Sequence, residues 1–244
     1  MEQHFTIIIP AYNCEKWVKK NLNSALNQEY TNYEVIYIND CSTDNTGNVA
    51  GKMLSDSRVA SRYIENKENK RALPNLVRAI NEATPGTIVL ALDGDDWLAN
   101  KGVLKRLNEL YTSDIWITSG SYIDNVHHNI SRPKIQVGFW EQNIRKVDWT
   151  LSHLRTFRRS LFLKIKEADM MDVDDSYFKF TWDRVIMYPM VEMAGERHFM
   201  PIMEVMYVYN RRNPISVDRT HRHDQIRIEY MLRDKKPYEK IENL

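Results

Sequence analysis

Through the first half of the chain, short apolar runs ending at polar loops alternate with amphipathic stretches, and no other feature limits its fold as much. "FTIIIP" precedes "EKWVKKNLNSALNQ", where Val18, Leu22 and Ala25 recur at helical spacing. "YEVIYIND" and a weaker "NTGNVAGKML" helix follow, then "SRYIEN", "RALPNLVRAINEA", "TIVLALD", "KGVLKRLNEL" and "IWITSG". Strands separated by helices pair in parallel, so this order predicts an α/β fold with a doubly wound, mostly parallel central sheet flanked by helices. The alternation lapses from about residue 113 onward, yet there is no repeat, low-complexity stretch or linker. The chain of 244 residues therefore reads as a single domain, 1–244, with a first half 1–112 and a second half 113–244.

Sheets of this kind bind ligands beyond the carboxyl ends of their strands, and the polar clusters fall at those ends: "AYN", "NDCSTDNT" and "DGDD". In "LALDGDDWL" an apolar strand runs straight into Asp93, Asp95 and Asp96. Carboxylates so close repel and raise one another's pKa unless a positive partner sits among them, and a divalent cation is the natural one. Gly94 lets the backbone approach a ligand closely. "DVDDSY" at 172–177 has a similar spelling but follows a polar run, which makes it a solvated loop. In "NDCSTDNT", Thr43, Asp44 or Asn45 is expected to cap the next helix. Asp40, directly after its strand, has no such role, and a carboxylate there can accept two donors from a base or ribose edge.

Lys and Arg total 34 against 33 Asp and Glu, so no global field favours nucleic acid or an anionic membrane, and function is local. Cys14 and Cys41 form neither a CxxC pair nor a disulfide framework. With no signal segment and no apolar stretch of membrane-spanning length, the expectation is a soluble, cytoplasmic protein. Peripheral membrane contact through "DQIRIEYMLR" is compatible with this. Asn129-Ile130-Ser131 has the form of a glycosylation acceptor but lacks a secretory context.

"TIIIPAYNCEKWVKKNLNSALNQEYTNYEVIYINDCSTDNT" followed by "IVLALDGDDWL" resembles glycosyltransferase family 2, whose members are inverting enzymes with the GT-A fold. The resemblance covers the first 112 residues well and extends more loosely through "HLRTFRRSLF", "FTWDRVIMYPMVEMAG" and "YVYNRRNPIS". It implies a metal-dependent transfer from a nucleotide-sugar donor, first of all a UDP-sugar, to a hydroxyl on a glycan, lipid-linked sugar or protein. The first half would bind the donor and the second the acceptor. Pro10, Ala11, Tyr12 and Asn13 match the loop that packs on the nucleobase, and Asp40 the carboxylate that accepts from it. Asp93, Gly94 and Asp95 match the family's Asp-x-Asp, so Asp95 would ligate Mn²⁺ or Mg²⁺, Asp93 would hold ribose or metal-bound water, and Asp96 would support both.

The family's base is commonly the Asp of a Glu-Asp pair at a helix start. Trp182-Asp183 stands there, which makes Asp183 the candidate base, with an ordinary charge at a helix N-terminus as the alternative. Pro189 inside the same run predicts a kink. Glu192 is either an acceptor contact or a helix-surface residue. Arg71 replaces a family glycine, and Pro74-Asn75 replaces Arg-Asn; Arg71 either reaches the diphosphate or starts a solvated helix. His153 and Arg155 flank Leu154 as in a half-buried strand, with their polar face toward either ligand or solvent. His221 is a late candidate metal ligand or a surface histidine. The aromatics of the second half, Phe139, Trp140, Trp149, Tyr177, Phe178 and Trp182, are mostly core, with some free to shape an acceptor groove. Met187, Met190 and Met193 read as packing. The tail "RDKKPYEKIENL" reads as frayed. A sugar nucleotidyltransferase would need a Gly-rich phosphate loop that "PAYNCEKW" lacks, and a non-catalytic carbohydrate-binding domain would need no carboxylate array.

Overall fold

In the computed structural model, which describes residues 2–111, 114–136 and 138–244, the alternating half folds as its pattern predicts. Strands β1 (Phe5–Ala11), β2 (Tyr33–Asn39), β3 (Ala60–Glu65) and β4 (Ile88–Ala91) lie parallel in the order β3-β2-β1-β4. Helices α1 (Val18–Leu26), α2 (Thr46–Ser55) and α3 (Ala72–Glu82) connect them. Phe5 of β1 faces Tyr33 on one side and Ile88 on the other. Because side chains alternate across a strand, Ile7, Ile9, Val35, Tyr37 and Leu90 enter one core with α1, α2 and α4 (Val103–Leu110). Ile8, Ile36, Ile38 and Val89 enter the other, with α3. Burial on both faces explains why these strands read as continuous apolar runs.

The second half breaks the alternation for a topological reason. After the short β5 (Trp97–Leu98) of the first half, its strands are β6 (Ile117–Asp124), β7 (Ile130–Ser131), β8 (Arg155–Arg158) and β9 (Phe199–Tyr209). The free edge of β4 is taken by β8, not by the next long strand, and the pairing is antiparallel, with Ile88 opposite Arg158. β6 pairs antiparallel with β8 and parallel with β9, while β5 closes the far edge. Antiparallel entry needs no helical crossover, so the sequence between β6 and β8 carries no helix pattern. The result is one nine-stranded sheet, parallel through its first four strands and mixed beyond them, running through both halves of the chain. The boundary between the halves, at residues 112 and 113, lies outside the described residues.

Four further helices complete the fold: α5 (Arg159–Phe162), α6 (Trp182–His198), α7 (Val217–Thr220) and α8 (Arg222–Asp234). α6 is buried from Val185 to Gly195, so its methionines 187, 190 and 193 pack as expected. The kink is displaced from its predicted place. Helical geometry continues through Pro189 and fails at Gly195 (φ 58°, ψ −170°), where the missing Cβ permits a left-handed φ. Ile228 and Leu232 of α8 are buried in the same core, which directs the apolar side of that helix inward; Ile226 and Tyr230 are left exposed. No helix among the described residues is long and apolar enough to cross a membrane.

Glu192 corrects both of its expected roles, for it lies neither on the helix surface nor in the cavity described below. It is buried against Arg145, with Nε to Oε1 at 2.6 Å and Nη2 to Oε2 at 2.8 Å. Arg145 Nη1 also donates to the Leu232 carbonyl at 2.9 Å, and the Tyr238 amide donates to Glu192 Oε2 at 3.0 Å. A buried charge demands such a full set of partners, and this one recruits the tail. Tyr238 Oη donates to Asp169 at 2.6 Å, and the Ile241 amide donates to the Met193 carbonyl at 3.0 Å. The tail expected to fray is therefore docked on α6. Glu192→Ala strands Arg145 in the core and is expected to cost about 3–5 kcal/mol of stability, measured as a fall in the urea midpoint.

Candidate active site

The loops after β1, β2 and β4 converge on a cavity of about 560 Å³ at the carboxyl edge of the parallel strands. The first half supplies one wall: the Pro10–Asn13 loop, Asp40, Arg71 and the turn from Asp93 to Asp96. The second half supplies the remaining wall with His153, Arg155, Trp182, Asp183 and His221. Every residue proposed from the sequence as a donor, metal or catalytic candidate lines this cavity except Glu192.

The acidic turn is held from three sides. Leu92 N donates to the Ile8 carbonyl and Gly94 N to the Pro10 carbonyl, so β4 tracks β1 into the turn. A Cβ on Gly94 would stand 2.5 Å from the Ala11 Cβ and 2.8 Å from its Cα, so only glycine lets the two backbones lie this close. From α1 the fully buried Asn21 donates through Nδ2 to the carbonyls of Asp93, at 2.9 Å, and Asp96, at 2.8 Å. From β9 and the loop after it, Tyr207 Oη donates to Asp96 Oδ2 at 2.6 Å and the Asn210 amide to Asp96 Oδ1 at 2.7 Å. Asn213 Nδ2 donates to Asp95 Oδ2 at 2.7 Å.

These surroundings separate the carboxylates. Burial, with the charges of Asp95 and Asp93 beside it, pushes Asp96 well above the ordinary carboxylate range. Burial acts the same way on Asp93, but the His153 hydrogen bond and charge, together with Arg155 and Tyr207, outweigh it and hold Asp93 below that range. His153 Nε2 lies 3.4 Å from Asp93 Oδ2, and burial followed by the Arg155 charge lowers its own pKa. Ligand atoms from Asp93, Asp96 and His153 all lie within 4.8 Å of one another. Both oxygens of Asp96 are already engaged by protein donors. Asp95 is not in that group but lines the cavity with Asp93, and carboxylate oxygens are the hard donors that suit Mg²⁺ or Mn²⁺. His221 belongs to no such group. It stacks on Phe180 at 4.3 Å and contacts Asp224 at 3.3 Å.

Asp40 proves to be a loop anchor as well as a wall residue. Its oxygens accept from Asn66 Nδ2 at 2.8 Å and from the amides of Lys70, at 2.9 Å, and Arg71, at 2.8 Å. The anchored residue is strained: Arg71 sits at φ 70°, ψ 174°, a conformation reserved almost wholly for glycine. This is the physical reason a glycine suits the position. Its guanidinium lies over the Phe180 ring at 5.4 Å, on the cavity side. Nearby, Asp44 accepts from Thr46 N at 3.0 Å and supplies the expected capping carboxylate of α2. In "DVDDSY", residues 173–175 are exposed and Asp172 pairs with Arg227 at 2.7 Å.

Across the cavity, β8 sends Arg155 inward, with its polar face toward the site and not toward solvent. Nη2 of Arg155 donates to Asp183 Oδ2 at 2.8 Å, and the guanidinium lies 5.2 Å from the centre of the Trp182 ring. Asp183 stands in the first turn of α6, so the helix N-terminus also favours its charge. The residues given no role in advance are Asn21, Tyr207, Asn210 and Asn213. Their signal was present in "YVYNRRNP", a strand end followed by two asparagines and a proline, but no periodicity tells which loop such residues reach.

A mixed, largely parallel sheet with an acidic turn at its carboxyl edge is the GT-A architecture, and solved structures bear this out. The crystal structure of S. aureus TarS superposes with a TM-score of 0.66 at 19% identity, covering 94% of this chain and 39% of that one. The mannosyltransferase PcManGT from Pyrobaculum calidifontis, in complex with GDP-Man and Mn²⁺, gives 0.65 at 20% identity, covering 98% and 66%. The chain belongs to glycosyl transferase family 2, whose profile matches residues 6–177. An uncharacterized glycosyltransferase of Haemophilus influenzae is 32% identical over 118 residues, 48% of this chain and 46% of the relative. The UDP-Glc:alpha-D-GlcNAc-diphosphoundecaprenol beta-1,3-glucosyltransferase WfaP of Escherichia coli is 32% identical over 117 residues, 48% and 45%. The matched segments thus span less than half the length of these relatives.

Two substitutions test the backbone constraints. Arg71→Gly is expected to stabilise the fold by about 1–3 kcal/mol by relieving the left-handed strain, read from thermal unfolding. Gly94→Ala drives a methyl into Ala11 and is expected to cost about 1–3 kcal/mol, with amide shifts in the two loops by NMR.

Proposed function

We propose that the chain transfers a sugar, with inversion, from a nucleotide-diphosphate sugar to an acceptor hydroxyl. The observation that carries this reading is that the Asp93-Gly94-Asp95 turn and Asp183, from the two halves of the chain, line one cavity. That arrangement suits an in-line displacement, with a leaving group held on one side and a proton acceptor on the other. UDP is the first choice of nucleotide, supported by TarS, solved in complex with UDP-GlcNAc, and by the name of WfaP; PcManGT, solved with GDP-Man, makes GDP the comparison.

The donor's base would lie along Pro10–Asn13 and Asp40, with its diphosphate toward Asp93 and Asp95. Mn²⁺ or Mg²⁺, held by Asp95 and Asp93, would compensate the negative charge that develops on the departing diphosphate. Asp183 accepts the proton of the acceptor hydroxyl as its oxygen bonds to the anomeric carbon. The bond from that carbon to the diphosphate oxygen breaks, and the electron pair leaves with the nucleoside diphosphate. Arg155, hydrogen-bonded to Asp183, aims the carboxylate. Asp96, saturated by Tyr207 and Asn210, keeps the turn in shape.

Phosphorus NMR of the protein with Mn²⁺ and a panel of nucleotide sugars tests the reading. Nucleoside diphosphate is expected to accumulate slowly with the correct donor, and Asp95→Ala is expected to abolish its release. With an acceptor supplied, Asp183→Asn should lower kcat by roughly 10²–10⁴-fold. Sugar phosphate released on adding pyrophosphate would instead identify a nucleotidyltransferase. No metal-dependent change in any donor signal would leave a binding domain.

A further inference from the structure

A second cleft, of about 370 Å³, opens beside the first and shares Arg155 and Asp183 with it. The two cavities differ in sign. Asp40, Asp93, Asp95 and Asp96 dominate the floor of the first, whereas the second is lined by Arg132, Lys134 and Arg155 with Asp183 as its sole carboxylate among the lining residues. Arg132 and Lys134 are exposed, and among the described residues neither side chain meets a carboxylate. Arg155 is 5% exposed, and although Nη2 holds Asp183, its Nε is buried without any hydrogen-bond partner. Buried donors are rarely left unpaired, so an orphaned guanidinium N–H beside a cleft marks a place for a ligand oxygen. Trp149, half-buried, braced edge-on by Tyr188 at 4.7 Å and with the Arg184 guanidinium 5.9 Å from its ring centre, adds an aromatic side chain to the cleft lining.

We infer that this second cleft binds the acceptor and selects a saccharide carrying a negative group, phosphate or carboxylate, beside the hydroxyl that reacts. The inference rests on Asp183 as the group that takes the acceptor proton. Asp183 faces both cavities, so a hydroxyl delivered from the second cleft reaches the first at that carboxylate. In the proposed transfer the donor diphosphate occupies the first cavity, while Arg132 and Lys134 give the second cleft cations of its own to hold a negative group of the acceptor. Two sources can supply the negative group: the diphosphate headgroup of a lipid-linked sugar, or a phosphate or uronic acid within the glycan.

Calorimetric titration in EDTA, without donor, tests the cleft by itself. The probes are glucuronate, N-acetylglucosamine 1-phosphate, uncharged methyl glucoside, and neutral detergent micelles with and without a glycosyl diphosphate lipid. Charged probes are expected to bind roughly tenfold tighter than methyl glucoside. Arg132→Gln with Lys134→Gln should erase that preference, whereas Lys101→Gln with Lys105→Gln, the same charge change at α4, should keep it. A preference for the soluble anions places the charge in the glycan, and one confined to the lipid-bearing micelles places it in the headgroup; both support the cleft. Equal binding of charged and neutral probes to the unmodified protein, or a preference that survives the Arg132 and Lys134 substitutions, overturns it. Loss of donor turnover chemistry with the preference intact would count against the donor reading alone.

Discussion

The two hydrogen bonds from Asn21 to the carbonyls of Asp93 and Asp96 are the constraint on which the site depends. An acidic turn is a poor structural element, because its charges repel and its carbonyls have no ladder partner. A buried amide from α1 meets both carbonyls at once, and the backbone is then committed to a shape in which Asp93 and Asp95 face the cavity and Asp96 faces inward. Tyr207 and the Asn210 amide complete the arrangement by surrounding the inward carboxylate with donors. The turn is therefore fixed by α1, β1 and β9 together, elements from both ends of the chain.

Arg155 performs the matching task on the other wall. It carries the only described hydrogen bond to the Asp183 side chain, it lies against Trp182, and its charge acts to lower the pKa of both Asp93 and His153. One guanidinium thus links the electrostatics of the two walls. Under the proposed transfer a carboxylate would act on either side of the anomeric carbon, and Arg155 touches one of them, Asp183, directly.

Much of this was legible in the order of residues. A strand buried on both faces announces itself as an unbroken apolar run, so β1, β2 and β4 and the clusters at their carboxyl ends could be read directly, and with them Asp40, Asp93 and Asp95. Three things escaped. Glu192 has the spacing of any helical carboxylate, and only the distant Arg145 shows it to be buried. The helix break depends on what packs near Gly195, where Lys240 from the tail covers the space, and not on Pro189. Tyr207, Asn210 and Asn213 serve a turn more than a hundred positions earlier, a pairing that no local pattern encodes.

The insertion of β8 between β4 and β6 has a consequence in time as well as in space. During synthesis the first three βα units can assemble in order, but the free edge of β4 has no neighbour until Arg155–Arg158 emerges. Through that interval the nascent sheet presents an open apolar edge, the kind of surface that pairs with other chains. Closing it joins strands separated by more than sixty residues, a non-local step that sets a slow pace for the whole fold. The same closure delivers Arg155 to the cavity, so the protein gains its protected edge and a second part of the cavity lining in one event.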